Sequence, residues 1–254
     1  MPLRVEHRDR VAVLTLDDVD RRNALTPELV GEIVAAVDAA EADDGVGALV
    51  VTGTPPAFCS GADVSSLAAL GHPTRQPEVA GADASGGGRL QTVYDGFLRV
   101  YRSTLPTVAA VNGPAVGAGF NLALACDVRI AAPRARFEAR FVRLGIHPGG
   151  GHAWLLERAV GPQAASAIVM FGERIDGERA CDLGLAWACV GDDGLLDESV
   201  ALAARAAEAP AALQREVKAT LRQAPWQPDF DTAVSTELER QVWSFEQGWF
   251  APRR

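Results

Sequence analysis

Residues 106–132, PTVAAVNGPAVGAGFNLALACDVRIAA, carry no charge before Asp127 and constrain the fold more than any other stretch of the chain. TVAAV (107–111) predicts a buried strand, and the glycine-rich VNGPAVGAGFN (111–121) predicts a tight turn that opens an apolar helix. DVRIAA (127–132) predicts another short strand. A strand, a helix and a strand in close succession indicate an α/β fold.

The beginning of the chain repeats this order of elements. VAVLTLD (11–17) predicts a strand, and Thr26-Pro27-Glu28 predicts a helix start, with Thr26 as N-cap and Pro27 in the first turn. One face of that helix is apolar, with Leu29, Ile33, Val34, Val37 and Ala40. GVGALVVTG (45–53) then predicts a short strand of a buried sheet. The short links between these elements predict βαβ organisation.

Shorter patterns predict the remaining elements. We predict a strand in ARFEA (135–139) and helices over residues 90–103, 151–160, 163–171 and 176–183. From about residue 194 the chain is rich in Ala, Glu, Arg and Leu, which predicts helices interrupted at Pro210, Pro225 and Pro228. Residues 71–88 are rich in Gly, Pro and Ala and predict a long loop, either a lid over a pocket or a neutral insertion.

The composition argues against several classes of protein. The chain has 254 residues, 48% hydrophobic and 22% charged, enough for one large domain or one domain with a small appendage. Its net charge of −9 argues against a nucleic-acid-binding surface. No apolar run approaches the ~20 residues of a membrane span. The charged N-terminal segment lacks the apolar region of a signal peptide, so we expect a cytoplasmic protein.

The cysteines and histidines predict neither a disulfide framework nor a metal site. Cys59, Cys126, Cys181 and Cys189 form no C-x-x-C pair, and we expect four free thiols, mostly buried. His147 and His152 are five residues apart, which is not the i,i+4 spacing of a helical zinc pair.

Two stretches with the same design are the candidates for chemistry. AFCSGAD (57–63) and VNGPAVGAGFN (111–121) each follow a strand, contain glycine and lead into helical sequence. Small residues let a ligand approach the backbone closely, and the first N–H groups of a helix have no partner within it. Two such N–H groups facing each other would form an oxyanion hole for a carbonyl oxygen.

Other interpretations of these glycines remain open. Both stretches are also compatible with ordinary tight turns between strand and helix. A dinucleotide-binding fingerprint is weakly supported, since Leu122 stands where a Gly or Ala is needed. A G-x-S-x-G nucleophile elbow is absent, because Ser60 has glycine on one side only.

Five segments together resemble the crotonase, or enoyl-CoA hydratase/isomerase, superfamily. They are RRNALTPEL (21–29), AFCSGADVSSL (57–67), PTVAAVNGPAVGAGFNLALACDVRIAA (106–132), GIHPGGG (145–151) and GERIDGERACDLGLAWACV (172–190). They follow the order and spacing of the family and cover nearly the whole chain.

The resemblance implies a crotonase-like spiral of ββα repeats. Residues 1–194 would form the core with an acyl-CoA site, and residues 195–254 a C-terminal α-helical trimerisation region. We expect a homotrimer or a hexamer built as a dimer of trimers. The C-terminal aromatic residues Trp226, Trp243, Phe245, Trp249 and Phe250 support this expectation, because a terminal helix rarely buries so many within a monomer.

The ligand implied by the resemblance is a coenzyme A thioester, held as substrate and not as a permanent cofactor. The two oxyanion-hole amides map to Ala62 and Ala118, where the family commonly has glycine at the second position. Contacts to CoA map to Arg22, Ala24, Ala62, Asp63 and Val64. The family often has lysine two residues after that aspartate, and here Ser65 replaces it, which leaves one phosphate contact in doubt.

The residues that move protons in the family are not present at their usual positions. Family hydratases use two glutamates, and these positions map to Asn121 and Phe141. Asparagine is not a base and phenylalanine neither donates nor accepts, so the resemblance predicts weak or absent hydration. The alternative acid–base groups are Glu138 and His147. For each of them, a purely structural role is the competing interpretation. For Asp127 we expect a structural role in a turn.

Three functions follow from these observations. The first is an acyl-CoA enzyme of hydratase/isomerase type with an atypical site. The second is a non-catalytic acyl-CoA-binding module of the same fold. The third, a nucleotide-linked oxidoreductase, has only the weak glycine pattern in its favour.

Overall fold

The computed structural model describes residues 1–63 and 86–250, except for the side chains of residues 86–89. Within these residues, the larger sheet has six strands in the order β1-β2-β3-β4-β6-β9. They are β1 (Leu3–Arg8), β2 (Val11–Leu16), β3 (Ala48–Gly53), β4 (Thr107–Val111), β6 (Val128–Ala131) and β9 (Ala188–Cys189). β1 pairs antiparallel with β2, and the other neighbouring pairs are parallel.

The described residues also form a second, smaller sheet, whose strands are interspersed along the sequence with those of the large sheet. It has three strands in the order β5-β7-β8, which are β5 (Pro114–Val116), β7 (Arg136–Glu138) and β8 (Ile175–Asp176). β5 pairs parallel with β7, and β7 pairs antiparallel with β8. β5 follows β4 after only two residues, so the glycine-rich stretch passes directly from one sheet to the other.

Eight α-helices fall within the described part of the chain. They are α1 (Pro27–Ala42), α2 (Gly86–Arg102), α3 (Ala118–Ala125), α4 (His152–Val169), α5 (Gly177–Asp182), α6 (Leu195–Ala207), α7 (Ala211–Gln223) and α8 (Phe230–Glu246). Thr26 caps α1 as predicted, because its side chain accepts a hydrogen bond from the N–H of Leu29.

The large sheet is buried on both faces, which explains why all six residues of β3 are buried. On one face, Leu14 and Leu49 pack with helices α1, α2 and α3 in the main hydrophobic core. On the other face, Val13 and Val50 pack against Leu195 and other residues of α6. The mixed α/β architecture confirms the predicted fold class.

The structure differs from the sequence predictions in several elements. The strands β8 and β9 were not predicted, and residues 86–88, predicted as part of a loop, begin α2. β1 was not predicted, because only Leu3 of its six residues is buried and the others lack an apolar pattern. β5 was predicted as part of a turn, although its three residues pair with a distant strand. The two helices predicted on either side of residue 161 are confirmed as the two parts of α4, which are separated by a kink where Gly161 has a non-helical φ of 76° and ψ of 168°.

The single lysine of the chain contributes to the attachment of α7, together with Arg222, which donates to Asp127 Oδ1 at 3.2 Å. Lys218 on α7 is 8% exposed, and its Nζ lies 2.7 Å from Asp127 Oδ2 and donates to the Leu105 carbonyl. Asp127 also accepts from the N–H and hydroxyl of Thr107 at the start of β4. Asp127 therefore has the structural role that the sequence predicted, and it links α7 to the strand before the glycine-rich stretch.

The remaining predictions concern the loop at residues 71–88, metal binding, membrane spans and the cysteines. Val64, Ser65 and residues 71–85 of the predicted loop lie outside the described residues. Among residues 1–63 and 86–250, no group of three His, Cys, Asp or Glu side chains is arranged to bind a metal ion. None of the described helices is long and apolar enough to span a membrane. The four cysteines are free, as predicted, although Cys181 and Cys189 are only partly buried.

Candidate active site

The two glycine-containing stretches meet side by side in the structure. Val116 donates its N–H to the carbonyl of Cys59, at an N···O distance of 3.0 Å. Gly61, with a φ of 104°, approaches so closely that a Cβ there would lie 2.6 Å from the Val116 oxygen and 3.6 Å from the Ala118 nitrogen. The backbone segments of Ala62 and Ala118, predicted to carry the oxyanion-hole amides, are therefore neighbours in space.

The turn before α3 depends on glycine. Gly117 is the N-cap of α3 with φ 53° and ψ −114°, a conformation that side chains disfavour. Ala118 is the first residue of the helix, so its N–H has no acceptor within α3. A Cβ at Gly119 would overlap the Cys59 carbonyl, which explains why the two stretches can pack so closely.

The turn that carries Arg22 and Ala24 is fixed next to this site by Asn23. Asn23 is fully buried, and its side-chain amide donates to the carbonyls of Thr54, Ala57 and Phe58. Leu25 donates its N–H to Gly61 and forms a β-bridge with Ala62. Ala24 is buried and Arg22 is exposed. This places four of the predicted CoA contacts, Arg22, Ala24, Ala62 and Asp63, within two adjoining segments.

Asn121 forms a buried pair with His152 at the start of α4. The Asn121 Nδ2 donates to the Gly149 carbonyl at 2.9 Å, and its Oδ1 lies 2.6 Å from His152 Nδ1. Both side chains are 1% exposed. The sequence pointed to His147 as a replacement base and gave no sign of His152, because the Asn121–His152 contact joins residues 31 positions apart.

Aromatic rings enclose His152. The ring centroids of Phe120 and Phe141 lie 5.1 Å and 5.0 Å from the imidazole, both in edge-on arrangements. Burial lowers the pKa of His152 from 6.5 to about 4, so the ring is neutral at physiological pH. Among the described residues, His152 Nε2 has no hydrogen-bond partner.

The two predicted alternative groups occupy different surroundings. His147 is exposed, and its Nδ1 lies 2.7 Å from the Pro148 carbonyl. Glu138 is buried beneath three arginines, with Arg140 at 3.0 Å, Arg174 at 3.4 Å and Arg143 at 3.7 Å. Burial raises the pKa of Glu138, but the hydrogen bonds and charges of these arginines outweigh it and hold the pKa below its ordinary value. A carboxylate held in this ionised form is a poor proton donor.

Glu138 lines a cavity together with other residues of the small sheet, among them Val116 and Asp176. The cavity has a volume of about 570 Å³, and its wall includes Ser60 and Val116 from the two glycine-containing stretches. Four arginines also line it, namely Arg22, Arg136, Arg140 and Arg174, against the two carboxylates of Glu138 and Asp176. The wall is therefore net positive in a protein with a net charge of −9.

The family model for enoyl-CoA hydratase/isomerase matches residues 6–244. A probable enoyl-CoA hydratase, EchA14 of Mycobacterium tuberculosis, is 47% identical over 253 residues, which cover 96% of this chain and 92% of that protein. The chain belongs to the enoyl-CoA hydratase/isomerase family.

Solved structures agree with this assignment. A crystal structure of an enoyl-CoA hydratase subunit from Geobacillus kaustophilus superposes with a TM-score of 0.84 at 31% identity, covering 97% of this chain and 90% of that one. A putative enoyl-CoA hydratase from Thermobifida fusca, solved in complex with CoA, gives a TM-score of 0.81 at 29% identity, covering 97% and 93% of the two chains. The fold is the crotonase fold, as the sequence predicted.

Proposed function

We propose that this protein is an acyl-CoA enzyme that polarises a thioester carbonyl between the backbone N–H groups of Ala62 and Ala118. The observation that carries the proposal is the close packing of Gly61 against Val116 and Ala118, which sets the two amide-bearing segments side by side. Amides held by the backbone need no reorganisation as negative charge develops on the oxygen.

The arginine-lined cavity supports recognition of the CoA part of the ligand. CoA carries several phosphate charges, and guanidinium groups bind phosphate oxygens in a bidentate manner. Arg140 and Arg174 are engaged by Glu138, whereas the Arg136 guanidinium donates to backbone carbonyls of Pro133 and Ala135. We assign Arg22 and Arg136 to the phosphates, with Arg22 in the segment expected to contact CoA.

We propose that hydration is weak in this site, because Asn121 and Phe141 stand where family hydratases have glutamates. A positioned acid or base contributes about 10²–10⁴-fold to a rate, and an oxyanion-hole donor about 10²–10³-fold. The amides alone would thus retain a part of the catalytic effect. A non-catalytic acyl-CoA-binding module of the same fold is the second candidate, favoured by the absence of both carboxylates.

We further propose that the chain forms a homotrimer, or a hexamer of two trimers, through its C-terminal helices. Helix α8 exposes an apolar stripe with the four-residue spacing of one helical face, consisting of Phe230, Val234, Leu238 and Val242. A stripe of this kind on a surface marks an interaction site. Whereas α6 packs on the sheet, Lys218 is the one buried residue within 211–250, so we assign the proposed interface to this segment.

Titration calorimetry combined with turnover assays tests the proposed function. We expect binding of butyryl-CoA and crotonyl-CoA and no binding of NAD. Lack of binding to CoA thioesters across chain lengths would contradict both candidates. Binding without turnover in any of the hydration, isomerisation or proton-exchange assays would favour the non-catalytic module.

A further inference from the structure

We propose that His152 is the catalytic base of this site and that Asn121 is the residue that positions it. In this proposal, His152 Nε2 takes a proton from the carbon next to the thioester carbonyl, and the reaction is a proton shift along the acyl chain instead of the addition of water. The inference rests on the proposed function, because it assumes an acyl thioester bound at Ala62 and Ala118.

The hydrogen bonds of Asn121 determine which nitrogen of His152 is free. Asn121 donates its amide N–H to the Gly149 carbonyl, so the oxygen of the amide must face the imidazole. His152 therefore donates its Nδ1–H to that oxygen, over the 2.6 Å separation. In a neutral imidazole the other nitrogen then carries a lone pair, which makes Nε2 an acceptor and a base.

The burial of this lone pair indicates a use beyond packing. Buried polar atoms are nearly always hydrogen-bonded, and within the described residues Nε2 is the single buried side-chain nitrogen or oxygen without a partner. An apolar ring would pack against Phe120 and Phe141 but would leave Asn121 Oδ1 without its donor, so the structural role of the imidazole accounts for Nδ1 and not for Nε2. The lone pair of Nε2 is instead left for a group that residues 1–63 and 86–250 do not supply.

Phe141 connects His152 to the predicted oxyanion hole. A Cβ at Gly117 would lie 4.0 Å from Cε1 of Phe141, and the same ring packs against the imidazole at 5.0 Å. Asn121 lies one helical turn after Gly117, since its N–H donates to the Gly117 carbonyl at 3.0 Å. The Phe141 ring therefore adjoins both the imidazole and the turn that carries the Ala118 amide, and we place the acyl chain along this ring. Because Nε2 is itself buried, it must become accessible when the acyl chain binds.

The proposed step balances as a proton transfer between carbon and nitrogen. The C–H bond at the carbon next to the carbonyl breaks, and its proton forms an N–H bond on Nε2. The electron pair moves into a carbon–carbon double bond, and the carbonyl electrons move onto the oxygen that the Ala62 and Ala118 amides hold. The imidazolium then returns its proton, either to the same carbon or, in an unsaturated chain, to the carbon two positions further.

The surroundings favour this proton shift over hydration. Phe120 and Phe141 line both sides of His152 and offer no group that would hold and orient a water molecule. The basicity of His152 is adequate, because a pKa of about 4 is close to the ordinary value of a glutamate, which is about 4.3.

Exchange of the acyl proton with solvent tests the inference directly. Butyryl-CoA is incubated with the protein in D₂O, and deuterium incorporation is followed by NMR for the unmodified protein, His152→Gln and His147→Gln. We expect exchange to fall by about 10²–10⁴-fold in His152→Gln. The His147→Gln variant should exchange at the unmodified rate, since His147 is exposed.

The calorimetric affinity for butyryl-CoA is measured for each variant, so that the two proposals fail in different ways. If neither the unmodified protein nor any of the variants binds butyryl-CoA, the proposed function fails. If the ligand binds and exchange is absent from the unmodified protein, unaffected in His152→Gln, or lost in His147→Gln, the assignment to His152 is overturned.

A second measurement needs no substitution of His152. In ¹⁵N-histidine-labelled protein, the spectrum should show His152 protonated on Nδ1 only, and saturating butyryl-CoA should shift its Nε2 resonance. The signals are assigned by replacing the other three histidines one at a time. Asn121→Ala should give a mixture of tautomers while the protein still binds butyryl-CoA. An Nε2 resonance that stays unchanged on saturation, or a single unchanged tautomer in Asn121→Ala, would contradict the inference.

Discussion

Asn121 Oδ1 lies 2.6 Å from His152 Nδ1, and this contact joins a helix start near the glycine-rich turn to the first residue of α4. Asparagine carries no charge at any pH, so it orients the imidazole without supplying the negative charge that would favour an imidazolium. Burial is consequently the cause of the low pKa of His152. A carboxylate at position 121 would have the opposite effect on that pKa.

The buried neutral histidine makes stability depend on pH. The pKa of His152 falls from 6.5 in the unfolded chain to about 4 in the folded protein, so the unfolded state binds the proton first. The free energy of unfolding should decrease as the pH falls from 6.5 to 4, by about 3 kcal/mol from this residue. Urea titrations of the unmodified protein and His152→Phe at pH 7 and 4.5 provide the check. The unmodified protein should lose more stability than the variant, and equal losses would contradict the assignment.

Restoring both carboxylates should convert the site toward hydration. Asn121→Glu combined with Phe141→Glu should hydrate crotonyl-CoA well above either single variant, because the two groups act on one water. Asn121→Glu also removes the donor to Gly149, and a glutamate at 141 replaces a ring that packs on His152, so both changes cost stability. Circular dichroism must confirm folding before rates are compared. Efficient hydration by the unmodified protein would show that the site is already complete.

Arg22 should contribute to CoA affinity. Arg22→Ala is expected to weaken butyryl-CoA binding by about tenfold, the effect of losing one charge-assisted hydrogen bond of about 1.5 kcal/mol. Arg21→Ala is the matched control, because Arg21 is also exposed but pairs with Asp18 and does not line the cavity. Calorimetry at low and moderate salt checks this, and equal effects of the two substitutions would remove Arg22 from the site.

Lys218 should contribute more to the free energy of unfolding than an exposed lysine does. Its burial lowers the pKa of Lys218, and the neighbouring Asp127 partly compensates. Lys218→Met is expected to reduce the free energy of unfolding by about 1–3 kcal/mol, since it leaves the Leu105 carbonyl without its donor and Asp127 without one partner. Arg215→Met on the same helix removes an exposed hydrogen bond and should cost less than about 0.5 kcal/mol. Similar losses in the two variants would argue against a special role.

The apolar stripe of α8 should determine the oligomeric state. Light scattering of the unmodified protein should give a trimer or a hexamer at micromolar concentration. Leu238→Glu puts a charge in the centre of the stripe and should yield smaller species. Glu237→Gln, next to it on the same helix, should leave the assembly intact. A monomeric unmodified protein would contradict the proposed interface.

The sequence predicted those elements whose signals are local. β2, α1, β3 and β4 were found because apolar periodicity and a helix cap lie within each segment. β5 was not found, since its pairing with β7 joins residues more than twenty positions apart. The β-propensity of single residues does not indicate such distant partners.

The site was predicted in part for the same reason. The glycine pattern at two strand-to-helix turns singled out residues 57–63 and 111–121, and the resemblance to the family implied that Ala62 and Ala118 carry the amides. The Asn121–His152 contact leaves no pattern, because neither residue type is unusual in its own segment.

Because Lys218 is buried, the rate of proteolysis at this residue depends on motions of the C-terminal helices. Endoproteinase Lys-C has one cleavage site in this sequence, after Lys218, and that side chain is 8% exposed in the folded protein. Cleavage into residues 1–218 and 219–254 therefore requires α7 to detach locally from the sheet. Its rate, measured with and without an acyl-CoA, would give the free energy of that opening from a single band on a gel.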